Sequence, residues 1–170
     1  MKPRNNFWAA FGYAGRGIWY ALRRQRNLRV HVSVAMAVVW LAWVGHASRW
    51  QWSALTLAMA LVLSLELMNT AVEAVVDLAS PTFHVLAKAA KDASAGAVLV
   101  SAGASVVIGL LVFLPQLGHF GQDFMVRWHE TPWLVGGVMA AMAAAYAVLW
   151  GKVPLRQAHE GGQNRFGETP

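Results

Sequence analysis

The stretch WSALTLAMALVLSLELMNTAVEAVVD, residues 52–77, decides the fold. Residues 52–65 carry no charge, and then Glu66, Asn69, Thr70, Glu73 and Asp77 follow at intervals of one, three and four. Such spacing puts them on one face of a helix. An ionisable side chain at membrane depth costs about 2.5–3.5 kcal/mol on insertion scales and normally faces a bundle interior or a polar cavity. The segment therefore reads as a buried membrane helix with a functional polar face in its second half.

The rest of the chain agrees. Of its 170 residues 57% are hydrophobic and 13% charged, which is unusual for a soluble domain. Apolar stretches at 30–47, 52–76, 93–115 and 132–150 each approach the twenty or so residues that cross a bilayer as a helix. The expected fold is all-α, a polytopic membrane helical bundle with an N-terminal amphipathic surface helix and four transmembrane helices. By segment, residues 1–29 form the surface region, 30–117 a three-span core, 118–131 an extracytoplasmic loop, 132–150 an additional span and 151–170 a disordered tail. Residues 1–29 contain seven basic side chains and no cleavage-site pattern follows, so a removed signal peptide is not expected.

Charge orients the bundle. Lys2, Arg4, Arg16, Arg23, Arg24, Arg26 and Arg29 precede the first span, Lys88 and Lys91 lie between the second and third, and Lys152, Arg156 and Arg165 follow the fourth. Only Arg49 and Arg127 fall in the other connections, so both termini are expected on the cytoplasmic side of the cell inner membrane. The net charge of +6 then reflects topology and anionic headgroups rather than nucleic acid. With no cysteine, disulfides and thiolate metal sites are excluded.

Ahead of the first span, Phe7, Phe11, Ala14, Ile18 and Leu22 repeat at three or four residues with Arg16 and Arg23 opposite, the pattern of an interfacial helix. If that helix continues, Gln25 falls on its apolar side. Ser80-Pro81 ends the second span, because proline disfavours helical geometry in the residue before it. A new helical run from His84 then carries Lys88, Lys91 and Asp92 back to the depth of Asn69 and Glu73, followed by small residues at 93–97 that permit close helix approach. The fourth span, with Gly136, Gly137 and many alanines, reads as a packing helix. His31 and His46 read as interfacial residues, since neither has a second histidine one turn away.

Carboxylate, amide and hydroxyl oxygens suit a hard cation such as Mg²⁺, which usually completes its shell with water and phosphate. Lys91 adds positive charge for phosphoryl oxygens, and Asp92 beside it is expected to orient that lysine. Phosphoryl transfer needs positioning, charge stabilisation and a group that prepares the attacking oxygen. No G-x-x-x-x-G-K-[ST] loop is present, so the residues alone do not specify ATP. Two bland alternatives stand beside this reading: a structural polar seam between helices, and an ion- or proton-conducting bundle. The second fits poorly because residues 54–65 hold only Thr56 and Ser64 as polar groups.

The order ELMNTAVEAVVD, then SPTFHVLAKAAKDASAGAVL, with Gly12-Tyr13 and RNLRVH (26–31) upstream, resembles the prokaryotic diacylglycerol kinase and undecaprenol kinase family of small membrane lipid kinases, from about residue 7 to 115. Asn27, the DLASP turn and His84 look more like the undecaprenol kinase branch. The resemblance implies a homotrimer of three-span subunits with shared active sites, each moving the γ-phosphoryl group of MgATP to a lipid alcohol at the cytoplasmic surface of the bilayer. It implies Glu66 as general base with Asn69 as a polar positioning residue, Glu73 as Mg²⁺ ligand, and Lys91 on the ATP phosphates with Asp92 beside it. Asp77 would support the site's cytoplasmic end, and Tyr13, Gly17 and His84 would lie near the nucleotide. Undecaprenol is the expected acceptor and diacylglycerol the alternative. Two departures stand out: Gln25 occupies the place where family members commonly carry a metal-holding glutamate, and the family core has no fourth span.

Overall fold

The structure is a computed structural model that describes residues 7–80, 82 and 84–151. The expected tail at 152–170, the proline of the DLASP turn and the basic residues at 2, 4, 152, 156 and 165 lie outside the described residues. Every regular element is helical: α1 (Phe7–Arg24), α2 (Arg26–Val44), α3 (Arg49–Ala79), α4 (Val85–Phe113), a 3₁₀ turn at Leu114–Gln116, α5 (Phe120–Glu130) and α6 (Pro132–Trp150). Among the described residues four helices, α2, α3, α4 with its 3₁₀ extension, and α6, are long and apolar enough to cross a membrane.

Helix α3 is the axis of the bundle. Its 31 residues rise about 46 Å, against an apolar membrane thickness of about 30 Å. Its buried residues, Leu55, Ala58, Val62, Glu66, Asn69 and Thr70, follow one another at helical spacing along a single seam. In the outer half that seam is apolar: Leu55 joins Ala42 of α2 and Val112 of α4 in the core, with Val38, Met59 and Ile108 around them. In the inner half the same seam becomes polar without a change of face.

The α2–α3 hairpin is closed by backbone geometry. Gly45 and His46 turn the chain, His46 with φ of 51° in the left-handed region that side chains rarely adopt. A Cβ on Gly45 would sit 2.5 Å from the Gln116 amide oxygen, so glycine lets the end of α2 meet the 3₁₀ turn. Ser48 then starts α3 with a capping box: its Oγ accepts the Gln51 N–H at 3.3 Å, and Gln51 Oε1 accepts the Ser48 N–H at 2.7 Å.

Three expectations change. The surface helix ends at Arg24 and does not continue through Gln25, which adopts an extended backbone (φ −99°, ψ 116°), and α2 starts at Arg26, four residues earlier than the apolar run. Within the segment expected as an outer loop, Phe120–Glu130 is helical, with Phe124 stacked on Trp128 at 6.2 Å and both phenylalanines against Trp40. And α6 is not packed through its small residues: Gly136 and Gly137 would each accept a Cβ with nothing within 4 Å, and Val135 is the helix's one buried residue. The other elements form as read, including the end of α3 at Ala79 and a new start at Val85.

Because the capping box satisfies two backbone donors at the start of the central helix, Ser48→Ala should lower stability by about 1 kcal/mol in denaturant titrations of the micellar protein. Retention of the full unfolding midpoint would show that the cap contributes nothing.

Candidate functional site

Glu66 is 2% exposed on the seam of α3, one turn below the apolar core. An unpartnered carboxylate there would be strongly unfavourable. Its partner is His31 of α2, whose Nε2 lies 3.2 Å from Glu66 Oε1. The imidazole side chain keeps 25% exposure while the carboxylate keeps 3%, so His31 stands between Glu66 and the outside. From them a cleft of about 360 Å³ runs back toward the apolar core between α2, α3 and α4, lined by apolar side chains such as Val34, Val38, Val62, Ala102 and Phe113. A hydroxyl carried on a long apolar tail is the kind of group that could reach Glu66 along this cleft.

One and two turns further along α3, amides and a second carboxylate form a connected network. Gln25 Nε2 donates to Glu73 Oε2 at 2.7 Å, and Asn69 Nδ2 donates to Glu73 Oε1 at 3.0 Å. Ser94 of α4 donates to Asn69 Oδ1 at 2.7 Å and also contacts the Lys91 carbonyl at 2.9 Å. Two helices and the α1–α2 break are therefore joined in the network around Glu73. The break is what places Gln25: its own N–H closes α1 on the Ala21 carbonyl at 2.7 Å, and the extended residue turns its side chain toward α3.

The basic residues pair differently from the sequence expectation. Asp92 does not sit on Lys91; it binds Lys88 one turn back at 2.6 Å. Adjacent residues on a helix point about 100° apart, whereas i and i+4 share a face. Lys91 instead crosses to Asp77 of α3 at 2.5 Å. That contact joins the two helices at the site's outer rim and leaves the lysine 37% exposed. Of the remaining candidates, Tyr13 is exposed on α1 with the Arg16 guanidinium 4.6 Å from its ring, and His84 caps α4 through Nδ1 and the Leu86 N–H at 3.2 Å. Gly17 lines an apolar groove between α1 and α3, near Thr70 and Ala74.

Asn69, Glu73 and Gln25 thus form one network, which Ser94 ties to the Lys91 carbonyl, while Glu66 pairs with His31 on the same seam and the Lys91 side chain pairs with Asp77. His31 and Ser94 are the two members that sequence reasoning passed over. A lone histidine at a span end looks interfacial, and a serine among small residues looks like packing; only the helix pairing reveals their partners. As a cation site the donors are hard oxygens of the right type, but Glu73 supplies the one carboxylate of its cluster and both its oxygens already accept amide N–H groups. Among the described residues no three His, Asp or Glu side chains converge as a metal site.

Comparison with known proteins gives these residues a context. Residues 12–113 match the family model of prokaryotic diacylglycerol kinase. The chain is 48% identical over 113 residues to the undecaprenol kinase of Bacillus subtilis (strain 168), an alignment covering 66% of this chain and 92% of that one. It is 44% identical over 125 residues to a diacylglycerol kinase of Synechocystis, covering 68% and 71% respectively. With the diacylglycerol kinase of Escherichia coli (strain K12) it shares 31% over 114 residues, 66% of this chain and 89% of that one. No solved structure gives a significant match.

The network and the rim should respond differently to substitution. Asn69→Ala removes two hydrogen bonds at a buried position and should destabilise by about 1–3 kcal/mol. Asp77→Asn breaks an exposed pair and should cost about 1 kcal/mol or less. Denaturant titrations of both variants, side by side, would reverse this account if Asp77→Asn proved the more damaging.

Proposed function

The chain belongs to the prokaryotic diacylglycerol kinase family and is an ATP-dependent lipid kinase embedded in the membrane, and from that premise we propose that it phosphorylates undecaprenol at the cytoplasmic surface of the cell inner membrane, with Glu66 as the general base. The observation that carries the reading is the buried Glu66–His31 pair at the head of an apolar cleft. The similarity to an undecaprenol kinase over 92% of that protein's length supports the choice of acceptor. Diacylglycerol, the substrate in the names of the other relatives, is the alternative.

In this reading the lipid lies with its tail along the cleft and its primary hydroxyl at Glu66. Glu66 Oε accepts the hydroxyl proton as the oxygen attacks the γ-phosphorus, the bond to the β-phosphate oxygen breaks, and lipid phosphate and ADP leave. His31, 3.2 Å from the carboxylate and partly exposed, orients Glu66 and stands between it and the outside. Lys91 exchanges Asp77 for the phosphate oxygens of bound ATP, and Asp77 then steadies the site's cytoplasmic end. Asn69, held by Ser94, fixes the position of Glu73.

Mg²⁺, when bound, neutralises charge on the transferred phosphoryl group. Glu73 with Gln25 would hold it, phosphate and water supplying the remaining ligands. Gln25 must then turn its amide oxygen rather than its N–H₂ toward the metal, and it contributes no charge. A homotrimer with shared sites remains part of the reading, in which Tyr13, Gly17 and His84 would approach the nucleotide.

The test is transfer of labelled γ-phosphate from ATP to undecaprenol and diacylglycerol offered side by side in mixed micelles. Undecaprenol should be labelled preferentially, and Glu66→Gln should reduce turnover by about 10²–10⁴-fold with nucleotide binding retained. Equal turnover by Glu66→Gln would remove the assigned base, and preference for diacylglycerol would change the acceptor. Gln25→Glu should lower the Mg²⁺ concentration giving half-maximal rate; an unchanged Mg²⁺ profile would remove Gln25 from the metal's surroundings.

A further inference from the structure

The fourth span lies outside the family match, which ends at residue 113, yet its C-terminal end and the α5 helix that precedes it grip the helix that carries His31. At the basic end of the bundle the Arg29 guanidinium of α2 lies 5.0 Å over the ring of Trp150, the last residue of α6, and Arg29 Nη1 donates to the Leu149 carbonyl at 3.4 Å. The indole answers: Trp150 Nε1 donates to Ser33 Oγ at 3.3 Å, and Ser33 donates in turn to the Arg29 carbonyl at 2.9 Å. A cation at the C-terminus of a helix meets unpaired carbonyls and the negative end of the helix dipole, so Arg29 is held by the helix end as well as by the ring.

At the opposite end a second arginine repeats the arrangement in reverse. Arg127 of α5 donates to the Trp43 carbonyl at 3.2 Å, contacts His46 Nδ1 at 3.0 Å, and lies 5.1 Å over the Trp43 ring. Phe120 and Phe124 of α5 close on Trp40 of α2 at 6.2 and 6.3 Å. The α5–α6 unit thus clamps α2 near both ends, while most of α6 stays open along its length.

That placement matters because α2 is fixed to α3 by the hairpin and the Ala42–Leu55 core at its far end, away from the site. It is detached from α1 at Gln25 and is only 19 residues long, and its inner end supplies two contacts of the site: Gln25 to Glu73, and His31 to Glu66. Arg29 lies between them, and its N–H reaches back to the Gln25 carbonyl at 3.5 Å. A slide of α2 by one residue, about 1.5 Å, would break both hydrogen bonds. We propose that the accessory fourth span is a brace, with Trp150 and Arg29 as positioning residues that hold α2 in register so that Gln25 and His31 meet Glu73 and Glu66. The register claim stands on the contacts themselves; its effect on Mg²⁺ dependence rests on the kinase reading above.

The absence of cysteine makes the test direct. Nitroxide labels on cysteines introduced at the exposed positions Arg26 of α2 and Val75 of α3, diluted with unlabelled chain, report the spacing of the two helices by pulsed electron resonance. Trp150→Leu, which removes both ring and N–H, should broaden or shift that distance, whereas Trp150→Phe, which keeps the ring face, should shift it less. In the unlabelled protein Trp150→Leu should raise the Mg²⁺ concentration for half-maximal turnover by about two- to fivefold, the size expected for one cation–ring contact at an interface. Ser33→Ala, which deletes the indole's acceptor together with the bond to the Arg29 carbonyl and suits a helix, should give a smaller change of the same kind and covers the case in which Trp150→Leu fails to insert. An unchanged distance distribution in Trp150→Leu, or in Ser33→Ala where only that variant inserts, overturns the brace, as does a loss of activity without any change in distance. If the wild-type chain labels no lipid but the distance still shifts, the brace stands and the kinase reading fails.

Discussion

The buried carboxylate of Glu66 is the constraint on which the rest depends. It occupies the seam by which α3 packs on its neighbours, where an apolar residue would be the ordinary choice, and its burial is tolerable only with a partner in reach. His31 is that partner. Once the pair forms, α2 can lie against α3 in one register, because a shift of one residue along either helix separates the two groups. Glu73 repeats the demand two turns further on and is met from two sides, by Gln25 and Asn69. The geometry of the candidate site and the packing of the inner half of the bundle are thus one problem with one solution.

The same economy explains the sidedness of the molecule. Along α3 the outer part of the seam is Leu55, Ala58 and Val62, and the inner part is Glu66, Asn69 and Thr70. The outer part packs on Ala42 and Val112 with no polar group to satisfy, so it holds the hairpin together by apolar contact alone. A chain of polar groups spanning the full depth, as ion conduction would need, is not built on this helix. Polar contact between α3 and α4 lies mainly at the inner end, through Ser94 on Asn69 and Lys91 on Asp77, with one long Ser105 bond to the Ala58 carbonyl at 3.4 Å further out.

The break at Gln25 has no announcement in the sequence. Arg23-Arg24-Gln25-Arg26-Asn27 contains neither proline nor glycine, and each residue is acceptable in a helix. The break is supported by tertiary contact: Glu73 accepts the Gln25 amide, and the buried Leu28 and Ala21 anchor the chain on either side. Local preference yields here because a satisfied half-buried carboxylate outweighs the loss of one helical turn's continuity.

Membrane cost and helical period are local properties of the chain, and they determined the four spans, the polar face of the second, the turn after Asp77 and the set Glu66, Asn69, Glu73 and Lys91. The depth match between the Asn69 and Lys91 clusters also followed from the rise per residue and a short turn. What only the tertiary structure decided is which side chains meet. His31 on Glu66, Gln25 on Glu73 from an extended backbone, Lys91 on Asp77 rather than beside Asp92, and Arg29 on Trp150 all join residues from different helices, apart from the lysine's rejected neighbour. Spacing along one helix says which residues share a face, but the rotation and axial offset of one helix against another are set by the summed packing of both, and no single segment of the sequence contains that sum.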